Sequence, residues 1–325
     1  MSKKTEITRT KILGKGTPLW KSLLFERRIP HRYHASVKGK INLFRTRKVL
    51  QTPPIFLDNN SNTEIHVLMG KNYVYMGILA LKSFLRFYNK VKVVIHGDGS
   101  LTKRCKKKLK KHIRGIRIID LKTANKIMEN RGIISHIRRN AYQLFRFPVC
   151  VLKLLDPSFV AKEDKIILLD TDILFLKPPL EIIEWIQDKS KVNLYSQSSG
   201  PNNRFDKKVL KKEFKNIKYI ERINGGFLCY HKQIMQENKL RRILKKIFNN
   251  PKLKQRILSD QQIYQIIFGL NKNKPLPFNR YPVLEYVNEK LFRGCKDAPY
   301  KHYIVDFEGG IYQRDINKVI NELKT

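Results

Sequence analysis

Apolar and polar positions change their period repeatedly along the chain, and this pattern predicts strands that alternate with helices. After a lysine-rich helix near residue 105, the pattern continues to an apolar strand that ends at Leu169. The other predicted strands lie at 63–69, 91–96 and 116–121, and the other predicted helices at 74–88, 134–155 and 180–187. Such alternation indicates an α/β protein with a mixed, mainly parallel sheet flanked by helices.

Two carboxylates follow the most apolar of these strands. Ile166 to Leu169 are apolar on both faces, as in a central strand covered by helices, and Asp170 and Asp172 come directly after them. In extended chain, residues i and i+2 point the same way, and ligands of open α/β sheets gather at the carboxyl ends of strands. The pair can therefore hold a divalent cation, which in turn can hold a diphosphate. The alternative is a turn that one aspartate caps while the other is solvated.

The charge of the chain adds a second question. It carries 67 Lys and Arg against 27 Asp and Glu, a net charge of +40, with 42% hydrophobic residues over 325 positions. The hydrophobic content indicates a folded protein. The charge indicates that its partner is nucleic acid or an anionic membrane, or else that the whole protein surface is basic without a polyanionic partner. Residues 103–117 hold nine Lys and Arg and no acid, and we predict a solvated helix face there, with a dedicated phosphate-binding surface as the alternative.

Two domains are predicted, a basic extension with a linker at 1–62 and a main domain at 63–325. The stretch from Trp20 to Phe25 is expected either to pack on the main domain or to rest on an anionic membrane. No apolar run approaches the roughly 18 residues that span a bilayer, and no signal core follows Met1. The four cysteines lack ligand or disulfide spacing and are expected to be reduced. We therefore expect a cytoplasmic protein, with a peripheral place at the inner membrane face as a further hypothesis.

Three further groups of residues draw attention. Asn224, Gly225 and Gly226 stand immediately before an apolar strand, where glycine permits the close approach of a ligand or forms an ordinary turn. Asp260 opens an amphipathic helix and is either functional or an N-cap. His302 is a lone histidine near the C-terminus. The chain lacks Gly-x-x-x-x-Gly-Lys-Ser/Thr and lacks Gly-x-Gly-x-x-Gly after its first strand, which argues against P-loop and dinucleotide enzymes.

The order of these motifs resembles one family over residues 63 to about 310, the GT-A glycosyltransferases of family 8, which include glycogenin and bacterial lipopolysaccharide galactosyl- and glucosyltransferases. The resemblance implies that Asp170 and Asp172 bind Mn²⁺ or Mg²⁺ with His302 as third ligand, and that Asp260 and Gln261 face the sugar at the reaction centre. The residues that it implies for the donor substrate are Gly70, Asn72, Tyr73, Lys153, Asn224, Gly225 and Gly226, with Tyr75 as a competitor of Tyr73.

The activity implied by this resemblance is transfer of a hexose from a UDP-sugar to a hydroxyl of a glycan or glycolipid, with retention of anomeric configuration. The chain departs from the family after His302, because no Lys-Pro-Trp follows. The cation for the leaving phosphate is therefore open, with Lys301 and Arg314 as candidates. The alternative hypothesis is a nucleic-acid-binding protein or a metal-dependent nuclease, which the charge favours but which leaves Asn224 and Gln261 unexplained.

Overall fold

The computed structural model describes residues 37–145, 148–284, 295, 297–304 and 310–325. The predicted role of the stretch from Trp20 to Phe25 lies outside these residues. The strands are β1 (Ile55–Phe56), β2 (Thr63–Met69), β3 (Lys92–Gly97), β4 (Ile113–Arg114), β5 (Arg117–Ile119), β6 (Lys165–Leu169), β7 (Ile173–Phe175), β8 (Asn193–Ser196), β9 (Asn224–His231), β10 (Asn273–Pro275) and β11 (Tyr300–His302).

Helices surround the strands. They are α1 (Val37–Thr46), α2 (Val74–Leu85), α3 (Lys103–His112), α4 (Leu121–Met128), α5 (Ile133–Arg139), α6 (Ala141–Leu144), α7 (Val149–Val160), α8 (Leu180–Gln187), α9 (Lys207–Glu213), α10 (Glu237–Asn249), α11 (Pro251–Lys254), α12 (Asp260–Gly269) and α13 (Gly310–Glu322). Short 3₁₀ helices add Arg47–Gln51, Lys71–Tyr73 and Lys232–Met235. In the part of the chain that the structure describes, no helix has the length and apolar character needed to cross a bilayer.

The central sheet has seven strands in the order β10-β8-β9-β6-β2-β3-β5. Strand β2 pairs in parallel with β3 and β6, whereas β9 runs antiparallel between β6 and β8. The prediction of a mixed, mainly parallel sheet is therefore confirmed. Because β2 and β6 run in the same direction side by side, the loops after Met69 and Leu169 emerge at one edge of the sheet.

Two hydrophobic clusters cover the two faces of this sheet. One contains α2 and the inward side chains of β7, and the other contains α7, α10 and α12. Strand β6 contributes to both, with Ile167 and Leu169 on one side and Ile166 and Leu168 on the other, and all four are buried. This burial explains why β6 is apolar on both faces and why a carboxylate can follow only at its end.

Several predicted elements agree with the structure to the residue. The strand at 63–69 and the helix at 180–187 have the expected bounds, and α3 exposes most of its lysines while burying Leu109 and His112. The single helical stretch predicted at 134–155 is wrong, because α5, α6 and α7 are separate helices there. Pro148 stands at the N-cap of α7, where a proline is tolerated and a continuing helix is not.

The segment before residue 63 also contains ordered elements. Helix α1 packs against α2 and α13, and β1 pairs in parallel with β4. Residues 37–56 therefore lie against the main body of the protein. The division of the chain at residue 62 stays a prediction.

A buried charge network joins β2 to β5 at the side of the sheet away from Asp170. One Glu64 oxygen accepts from Arg117 at 2.7 Å, and the other accepts from the Lys162 backbone N–H at 2.9 Å and faces His66 Nε2 at 3.2 Å. Burial opposes the ionised carboxylate, but His66 and Arg117 outweigh it and lower the pKa of Glu64 from 4.5 to about 2.

Glu64→Gln is expected to lower the free energy of unfolding at pH 7 by about 2 kcal/mol, since Arg117 loses its buried partner. Ionised Glu64 contributes stability that is complete above its unfolded pKa of 4.5 and is lost as the pH falls toward 2. Urea unfolding of both proteins at several pH values is therefore expected to show a difference that shrinks below pH 4.5. A difference independent of pH would assign the effect to something other than this carboxylate.

Candidate active site

The turn between β6 and β7 places two carboxylates at the edge of the sheet. The Asp170 backbone N–H donates to the Gly226 carbonyl oxygen at 2.8 Å, which ties the turn to β9. The Asp172 carbonyl oxygen accepts from the Tyr303 N–H at 2.9 Å. Both aspartates lie after the apolar strand, as the sequence predicted, and both are tied to distant segments of chain through their backbones.

The third member of the group comes from the C-terminal part of the chain. Strand β11 pairs antiparallel with β7 so that His302 lies opposite Ile173. His302 Nε2 lies 3.0 Å from Asp172 Oδ1, and one ligand atom each of Asp170, Asp172 and His302 lie within 4.8 Å of one another. The structure thus brings together the three residues that were predicted as metal ligands, although they are up to 132 positions apart.

This triad has the properties of a divalent metal site. The two carboxylates suit Mn²⁺ and Mg²⁺, and the imidazole is a ligand of transition metals, so that the donor set fits Mn²⁺ better than Mg²⁺. A Cβ atom on Gly226 would lie 2.2 Å from His302 Cε1 and 2.9 Å from Asp170 Oδ2. Only glycine therefore leaves the triad its present geometry, and the residues fit a bound cation.

Lys153 on α7 supplies positive charge beside the triad. Its Nζ lies 3.1 Å from both oxygens of Asp170 and 3.4 Å from Asp260 Oδ2. Burial works against the ammonium, yet the two carboxylates raise the pKa of Lys153 above its ordinary value. Burial raises the pKa of Asp170, and Lys153 opposes that rise. Burial disfavours the charged form of His302, but Asp172 raises the pKa of His302 on balance.

Helix α12 presents Asp260 and Gln261 to the same edge. Ser259 is the N-cap, and it forms a capping box with Gln262. The alternative that Asp260 is the N-cap is therefore wrong, because Asp260 is the first residue of the helix. Asp260 is buried, and its Oδ2 would lie 3.0 Å from a Cβ atom on Gly225. Lys153 is the charged side chain that lies near Asp260, and the lack of a side chain at Gly225 leaves space for the Asp260 carboxylate.

The three residues 224–226 belong to a strand rather than to a turn before one. They begin β9, and the Gly226 N–H donates to Asn224 Oδ1 at 2.8 Å. The pairing of β8 with β9 is irregular at Ser196, opposite Asn224. This shift in register lies where β9 passes the triad, a place typical of bulges, which are common next to active sites.

The predicted nucleotide residues follow β2. Gly70 precedes a 3₁₀ helix whose Tyr73 N–H donates to the Gly70 carbonyl oxygen at 3.1 Å. A Cβ atom on Gly70 would lie 2.4 Å from Asp98 Oδ2, so that any other residue here would displace the Asp98 side chain. The hydroxyl of Tyr75, the competitor of Tyr73, accepts a hydrogen bond from Lys108 on α3. This hydrogen bond lowers the pKa of Tyr75. The roles of Gly70, Asn72 and Tyr73 stay predictions.

Lys301 and Arg314, the candidates for the leaving-group cation, both point to Asp315. Lys301 is buried, and its Nζ lies 3.1 Å from Asp315 Oδ2, which also accepts from the Tyr303 hydroxyl at 2.7 Å. Arg314 Nε lies 3.4 Å from Asp315 Oδ1. Alternation along β11 places Lys301 on the face opposite His302. We therefore assign Lys301 to the packing of α13.

One neighbour of the site escaped the sequence analysis. Asn202 Nδ2 donates to Gln261 Oε1 at 3.0 Å, and Asn202 Oδ1 accepts from Gln265 at 2.9 Å. Asn202 follows a Ser, Gly and Pro stretch that predicts only a loop. Asn202 and Gln261 are 59 positions apart, so that no local sequence pattern predicts their contact.

Gly226→Ala is expected to weaken Mn²⁺ binding and donor turnover by more than about 100-fold, because the new methyl group displaces His302 or Asp170. Calorimetric titration with Mn²⁺ and steady-state kinetics measure the two effects. Gly200→Ala is the matched control, since nothing lies within 4 Å of a Cβ atom there. Equal behaviour of the two variants would contradict the close approach at Gly226.

A mainly parallel sheet with Asp170, Asp172 and His302 grouped at its carboxyl edge, where they could hold a metal ion, fits the class of GT-A glycosyltransferases. The sequence model of glycosyl transferase family 8 matches residues 64–305, and the chain belongs to this family. The protein is therefore an enzyme that transfers glycosyl groups, which favours this prediction over the alternative of a metal-dependent nuclease. No curated protein matches the sequence.

Solved structures agree in fold. The bifunctional glycosyltransferase WbbM, in its apo form, has a TM-score of 0.55 and 15% identity, and the match covers 80% of this chain and 50% of that one. Mouse xyloside xylosyltransferase 1, also apo, has a TM-score of 0.50 and 11% identity, over 77% of this chain and 98% of that one. The chain thus spans half the length of WbbM. At these identities the likeness concerns the fold alone.

Proposed function

We propose that the protein transfers a hexose from a UDP-sugar to a hydroxyl group of a glycan or glycolipid, with Mn²⁺ or Mg²⁺ as cofactor. The observation that carries this proposal is the convergence of Asp170, Asp172 and His302 within 4.8 Å beside the buried Lys153. A divalent cation supplies charge neutralisation to the diphosphate as it departs. The proposal goes beyond family membership, which establishes glycosyl transfer.

The residues of the chain take distinct roles in this proposal. Asp170, Asp172 and His302 hold the cation, and Lys153 keeps Asp170 and Asp260 oriented through contacts of 3.1 and 3.4 Å. Gly70, Asn72 and Tyr73 contact the uridine at the carboxyl end of β2, in line with the ligand position typical of such sheets. Asn224, Gly225 and Gly226 contact the transferred sugar, and the two glycines let Asp260, Asp170 and His302 pack directly against this strand beside it.

Retention of anomeric configuration is proposed from the family resemblance. Two routes give retention, a covalent intermediate and attack on the same face within an ion pair. Asp260 is buried at the sugar end of the site, and its Oδ2 makes no hydrogen bond among the described residues. Such a carboxylate oxygen is placed to stabilise positive charge on the sugar or to attack it.

A cytoplasmic location, with the enzyme at the inner membrane face, completes the proposal. The four cysteines are free, as expected in a reducing compartment. An acceptor that carries phosphate or carboxylate groups would suit the net charge of +40.

A panel of UDP-sugars tests the donor and the cofactor. We expect one UDP-hexose to be hydrolysed to UDP in the presence of Mn²⁺, EDTA to abolish the reaction, and GDP-sugars to be poor substrates. Proton NMR of the released sugar at early times reports its anomeric configuration. Hydrolysis that is insensitive to EDTA would contradict the metal site, and turnover of GDP-sugars alone would contradict the donor.

A further inference from the structure

Three of the large apolar side chains that are exposed in the described part of the chain lie beside its most basic helix. Ile41 and Phe44 on α1 are 43% and 66% exposed, and Phe56 on β1 is 66% exposed. The outer face of α3 and the residue pair that follows it expose only cationic long side chains. These are Lys103, Arg104, Lys107, Lys110, Lys111 and Arg114. We call these nine residues the basic aromatic face.

Direct contacts show that the apolar and cationic parts form one surface. The Arg47 guanidinium lies 5.3 Å from the centre of the Phe44 ring and 5.6 Å from that of Tyr75. Lys108 on α3 lies 4.7 Å from the centre of the same Tyr75 ring. Phe56 is the register partner of Arg114 in the pairing of β1 with β4. The face therefore runs continuously from α1 across α3 to β1.

We propose that the basic aromatic face docks onto an anionic lipid bilayer. Lysines and arginines attract acidic headgroups, and exposed aromatic and aliphatic side chains enter the headgroup boundary. A single-stranded nucleic acid fits less well, because Ile41 has no ring on which a base could stack. A mainly cationic surface with apolar side chains at its border thus matches lipid in both of its chemical components, and Asp120, which pairs with Lys106 of α3, is an acid beside it.

The position of α3 relates this docking to the active site. Helix α3 begins after the loop at 98–102, and Ser100 Oγ in that loop accepts from the Lys71 N–H at 2.8 Å. Lys71 follows Gly70, the first of the proposed uridine residues. The N-terminal end of the basic aromatic face, at Lys103 and Arg104, therefore lies on the side of the sheet where the donor is proposed to bind, and a bilayer that meets this end would bring a lipid-linked acceptor toward the site.

A second basic surface provides a matched control. A groove of about 740 Å³ between α9, α10 and α11 is lined by Lys212, Lys245 and Lys252, among others. None of the large apolar side chains that are exposed in the described residues lies in this groove. Both surfaces carry several lysines, but only the basic aromatic face also has exposed large apolar side chains. Removing lysines from each surface in turn therefore distinguishes docking by this face from a general effect of net charge.

Flotation of the full chain with phosphatidylcholine vesicles, with and without phosphatidylglycerol, tests the proposal. Wild type is expected to float only with the anionic vesicles. The triple change Lys107→Gln, Lys110→Gln and Lys111→Gln is expected to weaken binding by about 100-fold, while hydrolysis of soluble donor is unchanged. Lys212→Gln, Lys245→Gln and Lys252→Gln are expected to weaken binding by less than about 3-fold. Phe44→Ser with Phe56→Ser is expected to remove the binding that survives at high salt.

Three outcomes would overturn this proposal. Equal losses in the two lysine triples would show that net charge alone attracts the protein to lipid. Unchanged flotation of the α3 triple would show that another surface binds. Tighter binding of the same face to single-stranded DNA than to anionic vesicles, at equal salt, would assign it to nucleic acid. Glutamine keeps the helix propensity of lysine, so that none of these results reflects loss of α3.

An independent observation concerns the side chain of Asn202. Two backbone groups of Ile223 fix the orientation of the Asn202 amide, because a backbone carbonyl can only accept and a backbone N–H can only donate. Asn202 Nδ2 donates to the Ile223 carbonyl oxygen at 2.6 Å, and the Ile223 N–H donates to Asn202 Oδ1 at 3.2 Å. The group of Gln261 that lies 3.0 Å from Asn202 Nδ2 faces a donor and is therefore the acceptor Oε1, which shares the two Nδ2 hydrogens with the Ile223 carbonyl oxygen and with Ser198 Oγ at 2.7 Å. The Nε2 end of Gln261 is consequently the end that faces away from Asn202.

We infer that Asn202 is a positioning residue that turns the N–H donors of Gln261 toward the donor sugar. This inference rests on the proposed function, in which Gln261 faces the sugar. It also limits the chemistry of Gln261, whose carbonyl oxygen is engaged and does not act as a nucleophile. Gln261 therefore contributes a hydrogen bond to an oxygen of the donor, an interaction that strengthens when negative charge grows there.

Asn202→Asp tests this inference, because the carboxylate offers only acceptors and forces Gln261 to reverse its amide. We expect kcat for UDP-sugar hydrolysis to fall by about 100-fold with KM for the donor within about 3-fold. Asn203→Asp is the control, since Asn203 Nδ2 donates to the Ile220 carbonyl oxygen at 2.6 Å and Asn203 Oδ1 accepts from the Phe205 N–H. It is expected to lower the melting temperature comparably and to keep kcat.

Equal losses of kcat in the two variants, or wild-type kcat in Asn202→Asp, would show that Asn202 only stabilises the loop. Wild-type protein that hydrolyses no UDP-sugar would instead contradict the proposed function and would be seen before either variant is made.

Discussion

Asp172→Asn is expected to reduce metal-dependent donor turnover by at least about 1,000-fold. Asp172 Oδ1 lies 3.0 Å from His302 Nε2, so that both side chains meet where the cation is proposed to bind. Asparagine keeps the shape of the side chain and removes its charge, which weakens the cation site and leaves the charge on the departing diphosphate less neutralised. Several kcal/mol of transition-state stabilisation depend on such an ion, and each 1.4 kcal/mol is a factor of ten in rate.

Two measurements separate this effect from general damage. Calorimetric titration with Mn²⁺ is expected to show weaker binding to Asp172→Asn, while the melting temperature without metal stays close to that of wild type or rises, because a buried negative charge has been removed. Asp297→Asn is the matched control, since its side chain is 87% exposed and its ion-pair partner among the described residues is Lys177, at 3.8 Å. Unchanged Mn²⁺ affinity in Asp172→Asn would remove Asp172 from the metal site.

The parts of the fold that the sequence predicts well are those in which local pattern and burial coincide. Strand β6 is apolar on both faces because both faces are covered, and its end at Leu169 is marked by the first carboxylate. The helix at 180–187 follows a Pro-Pro turn and has an amphipathic pattern. The pattern at 134–155 is helical throughout, so that it does not reveal the breaks between α5, α6 and α7, which depend on tertiary packing.

The candidate site divides in the same way. Asp170 and Asp172 are visible because strand geometry alone places both on one side. The position of His302 depends on the pairing of β11 with β7, a contact between segments whose short strands carry no strong pattern. The family resemblance supplied His302 where physical reasoning from the sequence found only a lone histidine. Asn202 was missed because neither local pattern nor resemblance marks a loop residue whose partner, Gln261, is 59 positions away.

Lys153→Met is expected to lower both stability and activity. Lys153 Nζ is shared by Asp170 and Asp260, so that its removal leaves the buried Asp260 and the partly exposed Asp170 without compensation. Breaking such a partly buried arrangement costs about 2 kcal/mol of unfolding free energy. We expect turnover to fall by about 1,000-fold, since Asp170 and Asp260 then repel each other out of position. Urea unfolding and steady-state hydrolysis of the donor measure the two losses.

Mn²⁺ provides the decisive comparison for Lys153. A divalent cation at Asp170 replaces part of the missing positive charge, so that the stability deficit of Lys153→Met is expected to shrink when Mn²⁺ is added. Lys165→Met is the control, because Lys165 is also buried but donates to the Trp185 and Ile186 carbonyl oxygens at 2.8 and 3.0 Å, at the opposite end of β6. It is expected to lose stability to the same extent with and without Mn²⁺ and to keep its turnover. If the loss of unfolding free energy in Lys153→Met were the same with and without Mn²⁺, the lysine and the cation would not share Asp170. Lys153 would then have only a structural role.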